Sequence, residues 1–175
     1  PAAFTVETSG TSVHLTKSLA DGSLLERYIR LTDDQPDAVE FETRITHQGD
    51  EAKIYQFRIH PELFTGTVTQ DDNVVGAYIK DQDWVKFNQD WKTPEKRNLE
   101  ILKTAKGGGY AFFNQEDRYG VQLSYDPAVM ERAAFEWSSQ YPMAALDLFT
   151  NGIELKPGEI FAFSYTIKYL MKQPM

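Results

Sequence analysis

The stretch Val39-Glu40-Phe41-Glu42-Thr43-Arg44-Ile45-Thr46-His47-Gln48-Gly49-Asp50 decides the fold class. Val39, Phe41, Thr43 and Ile45 alternate with Glu40, Glu42 and Arg44. That period of two puts apolar side chains on one face of a strand and charges on the other. Beyond the turn residues His47 to Asp50, Tyr55, Phe57 and Ile59 alternate with Gln56, Arg58 and His60. The two runs are therefore expected to pair as a hairpin with one greasy and one polar face.

The same pattern recurs on either side. Strands are predicted at residues 4–8, 13–17 and 24–31, the last two joined by the turn Ala20-Asp21-Gly22-Ser23. In the second half, residues 110–114 and 121–125 flank a turn at 115–120, and runs at 133–138 and 144–150 follow. Phe161, Phe163, Tyr165, Ile167 and Tyr169 share one side of a closing strand, introduced by Leu155-Lys156-Pro157-Gly158-Glu159. No stretch has the period of a long amphipathic helix; Asp126-Pro127 predicts one helical turn within 127–132. Residues 65–98 are the least regular and predict long loops or a short hairpin. Many short strands with turns between them imply an all-β fold, an antiparallel β-sandwich.

Composition narrows the function. The chain has 175 residues, enough for one domain that buries about 70% of its unfolded surface. It opens at Pro1 with no initiator methionine and no signal-peptide pattern, and reads as a single β-sandwich domain, 1–175, belonging to a larger protein. Eighteen basic against 26 acidic residues give a net charge of −8, which speaks against nucleic acid and anionic membranes as partners but not against a neutral sugar. No run approaches the ~20 apolar residues of a membrane-spanning helix. Cysteine is absent, which removes disulfides, thiolate nucleophiles and cysteine metal sites. Aromatic residues are 13%, a content that suits sheets and stacking surfaces.

Six residues are candidates for chemistry. His60 ends a run on the polar face with Gln56 and Arg58, where it could donate a proton to a ring oxygen or hydroxyl. The plainer alternative is a surface histidine before the Pro61 turn. Asp147 is a lone carboxylate in an apolar run; partial desolvation would raise its pKa and make it a general base, whereas pairing with Arg or Lys would make it structural. Gln56 and Arg58 could hydrogen-bond sugar hydroxyls, or line a solvated sheet face. Trp84 and Trp91, set among Asp, Lys, Gln and Asn, are candidate platforms for sugar rings; Trp137 reads as core beside Phe135. Asp71-Asp72-Asn73 and Asp81-Gln82-Asp83 lack calcium-loop spacing and read as solvated turns. Lys106-Gly107-Gly108-Gly109 lacks the ending of a phosphate loop and reads as a flexible hairpin loop. No metal and no cofactor is expected.

The run 39–50, the segment Ile59-His60-Pro61-Glu62-Leu63-Phe64, and Ala145-Leu146-Asp147-Leu148-Phe149-Thr150 followed by Leu155-Lys156-Pro157-Gly158-Glu159 together resemble the galactose mutarotase-like (aldose 1-epimerase-like) proteins. The likeness runs over about residues 39–170. It implies a mutarotase-like supersandwich or a truncated form of it, a proton-donor role for His60 and a base at Asp147, where the family carries a glutamate. The family's Asn-His-x-Tyr-Phe-Asn text is absent. Three functions follow as expectations. The first is a carbohydrate-associated, non-catalytic module that takes a saccharide beside another domain of the same parent protein. The second is a mutarotase-like enzyme acting on a sugar. The third is a protein-interaction scaffold. The compartment is open; the zero-cysteine count and the sugar-linked resemblance lean towards the periplasm or the cell exterior.

Overall fold

A computed structural model describes residues 3–60, 62–63, 74–87, 98–100, 107–114, 118–138 and 143–172. Along the chain the strands are β1 (Thr5–Ser9), β2 (Ser12–Ser18), β3 (Leu24–Thr32), β4 (Gln35–Thr46), β5 (Lys53–Tyr55), β6 (Arg58–Ile59), β7 (Glu62–Leu63), β8 (Val74–Lys80), β9 (Asp83–Phe87), β10 (Asn98–Glu100), β11 (Gly109–Asn114), β12 (Tyr119–Tyr125), β13 (Met130–Ser138), β14 (Met143–Thr150), β15 (Ile153–Leu155) and β16 (Ile160–Leu170). The strand pairings found among the described residues are antiparallel. The fold is an all-β sandwich class, as the alternating runs predict. The helical turn predicted after Asp126 is a 3-10 turn at Pro127–Val129, capped by the Asp126 side chain, which accepts from the Ala128 amide at 2.8 Å.

The chain divides into two compact units, residues 1–56 with 152–167 and residues 57–151 with 168–175. In the first unit the sheet order is β1-β2-β3-β4-β16, and β5 pairs with β15 alongside it. The turn predicted at Ala20 to Ser23 joins β2 to β3: the Ser23 amide donates to the Asp21 carboxylate at 3.0 Å, and Gly22 takes a positive φ of 81°. On β4, Thr43 and Ile45 are buried, while Glu42 on the other face accepts from Arg30 and Arg44, each at 2.9 Å.

The hairpin expected around His47 to Asp50 does not form. The neighbours of β4 are β3 and β16; β5 pairs with β15, and β6 with β14. The cause is His47, which is 1% exposed. Its Nε2–H donates to the Glu51 carbonyl at 2.7 Å, so Nδ1 is the acceptor and faces the hydroxyls of Tyr55 at 2.8 Å and Ser23 at 3.1 Å. Its backbone N–H donates to the Glu159 carbonyl at 2.9 Å, and its carbonyl accepts from the Gly158 amide at 2.7 Å. A segment tied on every side to other partners cannot fold back as a tight turn.

The second unit carries two sheets, with strand orders β12-β11-β8-β9 and β10-β13-β14-β6, β7 also pairing with β14. Every residue of β11 is buried, so its apolar run is continuous instead of alternating. Phe112, Tyr110, Leu123, Ala133 and Leu148 have no exposed surface. The irregular region resolves, in part, into the hairpin β8–β9, whose turn residues Asp81 and Gln82 both take positive φ, 51° and 75°.

Two local details revise the sequence reading. Gly107 to Gly109 are no flexible loop: a Cβ on Gly107 would lie 1.6 Å from the Ile79 carbonyl oxygen, and the Gly108 carbonyl accepts from the Tyr125 amide at 2.9 Å. Tyr125 is buried, and among the described residues its hydroxyl meets no hydrogen-bond partner. Burial pushes its pKa well up, with the Tyr110 phenol adding to the shift. An unpaired buried hydroxyl costs about 1–3 kcal/mol, so Tyr125→Phe is expected to stabilise the chain by about 1 kcal/mol in urea unfolding; a loss of stability would show that the hydroxyl is satisfied.

Candidate functional site

Three of the sequence candidates come together on the second unit. The register places Phe149 of β14 opposite Arg58 of β6 and Arg132 of β13 opposite Phe149. Alternation along β14 puts Asp147 on the same face as Phe149, while Leu148 points into the core with Ile59 and Ala133. His60 follows β6 directly, two residues from Arg58, and so lies on that face too.

Asp147 is 2% exposed, and both its oxygens are engaged. Arg58 donates from Nε to Oδ1 at 2.9 Å and from Nη2 to Oδ2 at 2.5 Å, a bidentate fork. His60 Nδ1 lies 2.5 Å from Oδ1. An ionised carboxylate only accepts, so this nitrogen carries the hydrogen, and the 3.4 Å approach of Arg58 Nη2 to the same nitrogen is then a close contact between two donors. The Asp147 carboxylate thereby fixes the ring tautomer and turns Nε2 away from itself.

Burial pushes the Asp147 pKa up, but the hydrogen bonds from Arg58 and His60 and their charges outweigh it, and the carboxyl is held below the ordinary carboxylate range. The raised pKa expected for this residue is overturned, because burial was only one of the forces on it. A depressed folded-state pKa stabilises the fold above the unfolded value of about 3.9 and ceases to do so as pH falls through the folded value. Urea unfolding between pH 7 and pH 2 should show stability falling below about pH 4, with part of that slope removed in Asp147→Asn. A variant with the wild-type slope would remove Asp147 from the acid response.

Two further residues complete the face and were not singled out in the sequence. The Arg132 guanidinium lies 3.7 Å from the centroid of the Phe149 ring, and that of Arg58 lies 5.9 Å from it. Such cation–π contacts contribute about 0.5–2 kcal/mol each and hold the guanidinium planes in place. The face is a preorganised row of hydrogen-bond donors around one buried carboxylate. Among the described residues no group of three or more His, Asp or Glu converges to hold a metal ion.

The remaining candidates are placed elsewhere. Gln56 is exposed between β5 and β6, at the edge of the first unit. Trp84 is half-buried on β9, in the other sheet of the second unit, opposite Ile79 and close to Gly109. Trp91 and residues 71–73 lie outside the described residues, as does the side chain of Trp137.

No protein-family model and no curated relative matches the chain. Solved structures do. The Slr1438 protein of Synechocystis sp. PCC 6803 superimposes with a TM-score of 0.76 at 12% identity, over 97% of this chain and 66% of that one. A galactose mutarotase-like protein from Lactobacillus casei ATCC 334 does so with a TM-score of 0.69 at 10% identity, over 95% of this chain and 72% of the other. The fold is that of the galactose mutarotase-like β-sandwiches. The chain thus spans about two thirds of the length of such mutarotase-like structures. The same fold also matches 28% of the α-N-acetylgalactosaminidase NagBb from Bifidobacterium bifidum, over 98% of this chain, with a TM-score of 0.59 at 12% identity. No helix among the described residues is long and apolar enough to cross a membrane.

Proposed function

We propose that the chain is a carbohydrate-associated β-sandwich module that takes a saccharide on the Arg58–Asp147–His60 face, beside another domain of its parent protein. The observation that carries this reading is the bidentate Arg58–Asp147 pair, which holds a guanidinium and an imidazole in fixed orientation on one sheet face. Donors arranged in this way suit the hydroxyl and ring oxygens of a sugar at little cost in side-chain entropy. The mutarotase-like fold supports a sugar-related role, and its presence within a longer glycosidase supports an accessory one. A panel of mono- and oligosaccharides titrated by isothermal calorimetry tests it. At least one should bind, and His60→Ala should weaken it at least tenfold. A panel without binding rejects the module.

The His60–Asp147 contact favours a second reading, a mutarotase-like enzyme, with the roles altered. At 2.5 Å the two groups cannot flank a sugar ring as acid and base. Asp147 would instead orient His60, whose ring would move the proton. Polarimetry of anomer interconversion decides: a rate above buffer that His60→Ala removes supports the enzyme, and a rate equal to buffer ends it.

A further inference from the structure

The link between β14 and β15 carries the chain's single Asn-Gly sequence, Asn151-Gly152. β14 ends at Thr150, which has no exposed surface. Its N–H donates to the Phe57 carbonyl, and its Oγ1 accepts from the Phe57 N–H, each at 2.9 Å. One residue further on, Asn151 is exposed. Its backbone N–H donates to the Val129 carbonyl and its side-chain Nδ2–H to the Ala128 carbonyl, again at 2.9 Å each. The side-chain amide thus clasps the 3-10 turn Pro127–Val129, which Asp126 caps through the Ala128 amide.

That clasp is made of a thermolabile group. The backbone nitrogen that follows an asparagine can attack the side-chain Cγ. A new C–N bond closes a five-membered succinimide, the attacking nitrogen gives up its proton, and the side-chain nitrogen leaves as ammonia. Water then adds to one of the two imide carbonyls and opens the ring, leaving aspartate or isoaspartate. A side chain on the following residue shields the attacking nitrogen, and Gly152 has none. A Cβ there would meet only Ile54 Cγ2, at 3.4 Å, so the approach is open. Asp21-Gly22 could close the same ring but is protected. Its carboxylate accepts from the Ser23 N–H at 3.0 Å and pairs with Lys53, which holds it ionised and so unreactive towards a nucleophile. Asn114 is 3% exposed and is followed by Gln115.

We propose that Asn151 is a deamidation site: the Gly152 nitrogen displaces its side-chain amide, and the aspartate or isoaspartate formed releases the 127–129 turn. The product cannot remake the clasp. A carboxylate has no hydrogen to donate to the Ala128 carbonyl, and the two oxygens repel. Isoaspartate also inserts a methylene between the residue 151 N–H, held by Val129, and Gly152. The Ala128 hydrogen bond holds the amide in one orientation, so its local opening paces the ring closure. The test incubates the folded chain in warm, mildly alkaline buffer. Peptide mass spectrometry reads amide-to-acid conversion, and isoaspartyl methyltransferase labelling counts isoaspartate. Conversion should appear first in the peptide that carries Asn151. Gly152→Ala should slow it at least tenfold, and Asp126→Ala, which uncaps the turn, should speed it at least threefold. Asn151→Asp, standing for the product, should raise hydrogen exchange of the residue 129 and 151 amides at least tenfold. Conversion first at another asparagine, or none at Asn151 while the urea-unfolded chain converts, would overturn the proposal. So would wild-type rates in Gly152→Ala or Asp126→Ala, or unchanged exchange in Asn151→Asp.

Discussion

Replacing Arg58 by alanine is expected to destabilise the chain by about 2–3 kcal/mol at pH 7, because it leaves a buried carboxylate with one cationic partner removed. The full cost of breaking a buried ion pair, about 3–5 kcal/mol, is not expected, since the Arg58 side chain is half-exposed and His60 remains on Oδ1. Three features of the loss are specific. It should shrink as pH falls and Asp147 takes up a proton, since the neutral acid no longer needs the guanidinium. It should be far from additive with Asp147→Ala: the double variant should be more stable than the sum of the single losses predicts by at least about 1 kcal/mol, as befits groups in contact. Saccharide binding should fall with it, because His60 loses part of the frame that holds it. A thermodynamic cycle by urea unfolding at pH 7 measures all four proteins; strictly additive losses would mean that the pair contributes nothing as a pair.

The second large effect lies away from the Arg58–Asp147–His60 face. Gly107→Ala should cost about 3 kcal/mol or more, because the new methyl would fall 1.6 Å from the Ile79 carbonyl oxygen and 2.5 Å from its carbon, both backbone atoms that cannot rotate aside. Gly152→Ala is the control: its methyl meets only Ile54 Cγ2, at 3.4 Å, and the change should stay within about 0.5 kcal/mol. Thermal unfolding of the two variants separates them, and equal melting temperatures would show that Gly107 has room.

These two sites also show what could be read in advance. Periodicity alone exposed the strands, because Val39 to Ile45 and Phe161 to Tyr169 carry their burial pattern locally. It also marked Asp147 as a lone carboxylate in an apolar run, and set Arg58 and His60 together on one polar face. What it could not supply was pairing. Whether β5 turns back on β4 or goes to β15 depends on partners far along the chain, here the backbone of Gly158 and Glu159 on His47. The direction of the Asp147 shift was lost for the same reason: its burial is a local property, but the guanidinium that overrides it arrives from 89 residues away. Arg132 and Phe149 went unnoticed because their contact exists only once the β13–β14 register is known. A charged residue inside an apolar strand was the available signal for Arg132. Gly107 to Gly109 read as slack because glycine runs usually are; only the approach of Ile79 shows that they are tight.

The tie between His47 and Gly158–Glu159 has a consequence for how the protein is made. The first unit is assembled from residues 1–56 and 152–167, with the whole of residues 57–151 intervening. Synthesis runs from the N-terminus, so β1 to β4 leave the ribosome long before β15 and β16 exist to close against them. During that interval residues 57–151, all of the second unit but 168–175, can already condense. The first unit is thus the late, high-contact-order partner in biogenesis, and a nascent chain stalled before Gly158 would present β1 to β4 as an open, aggregation-prone sheet that attracts chaperones.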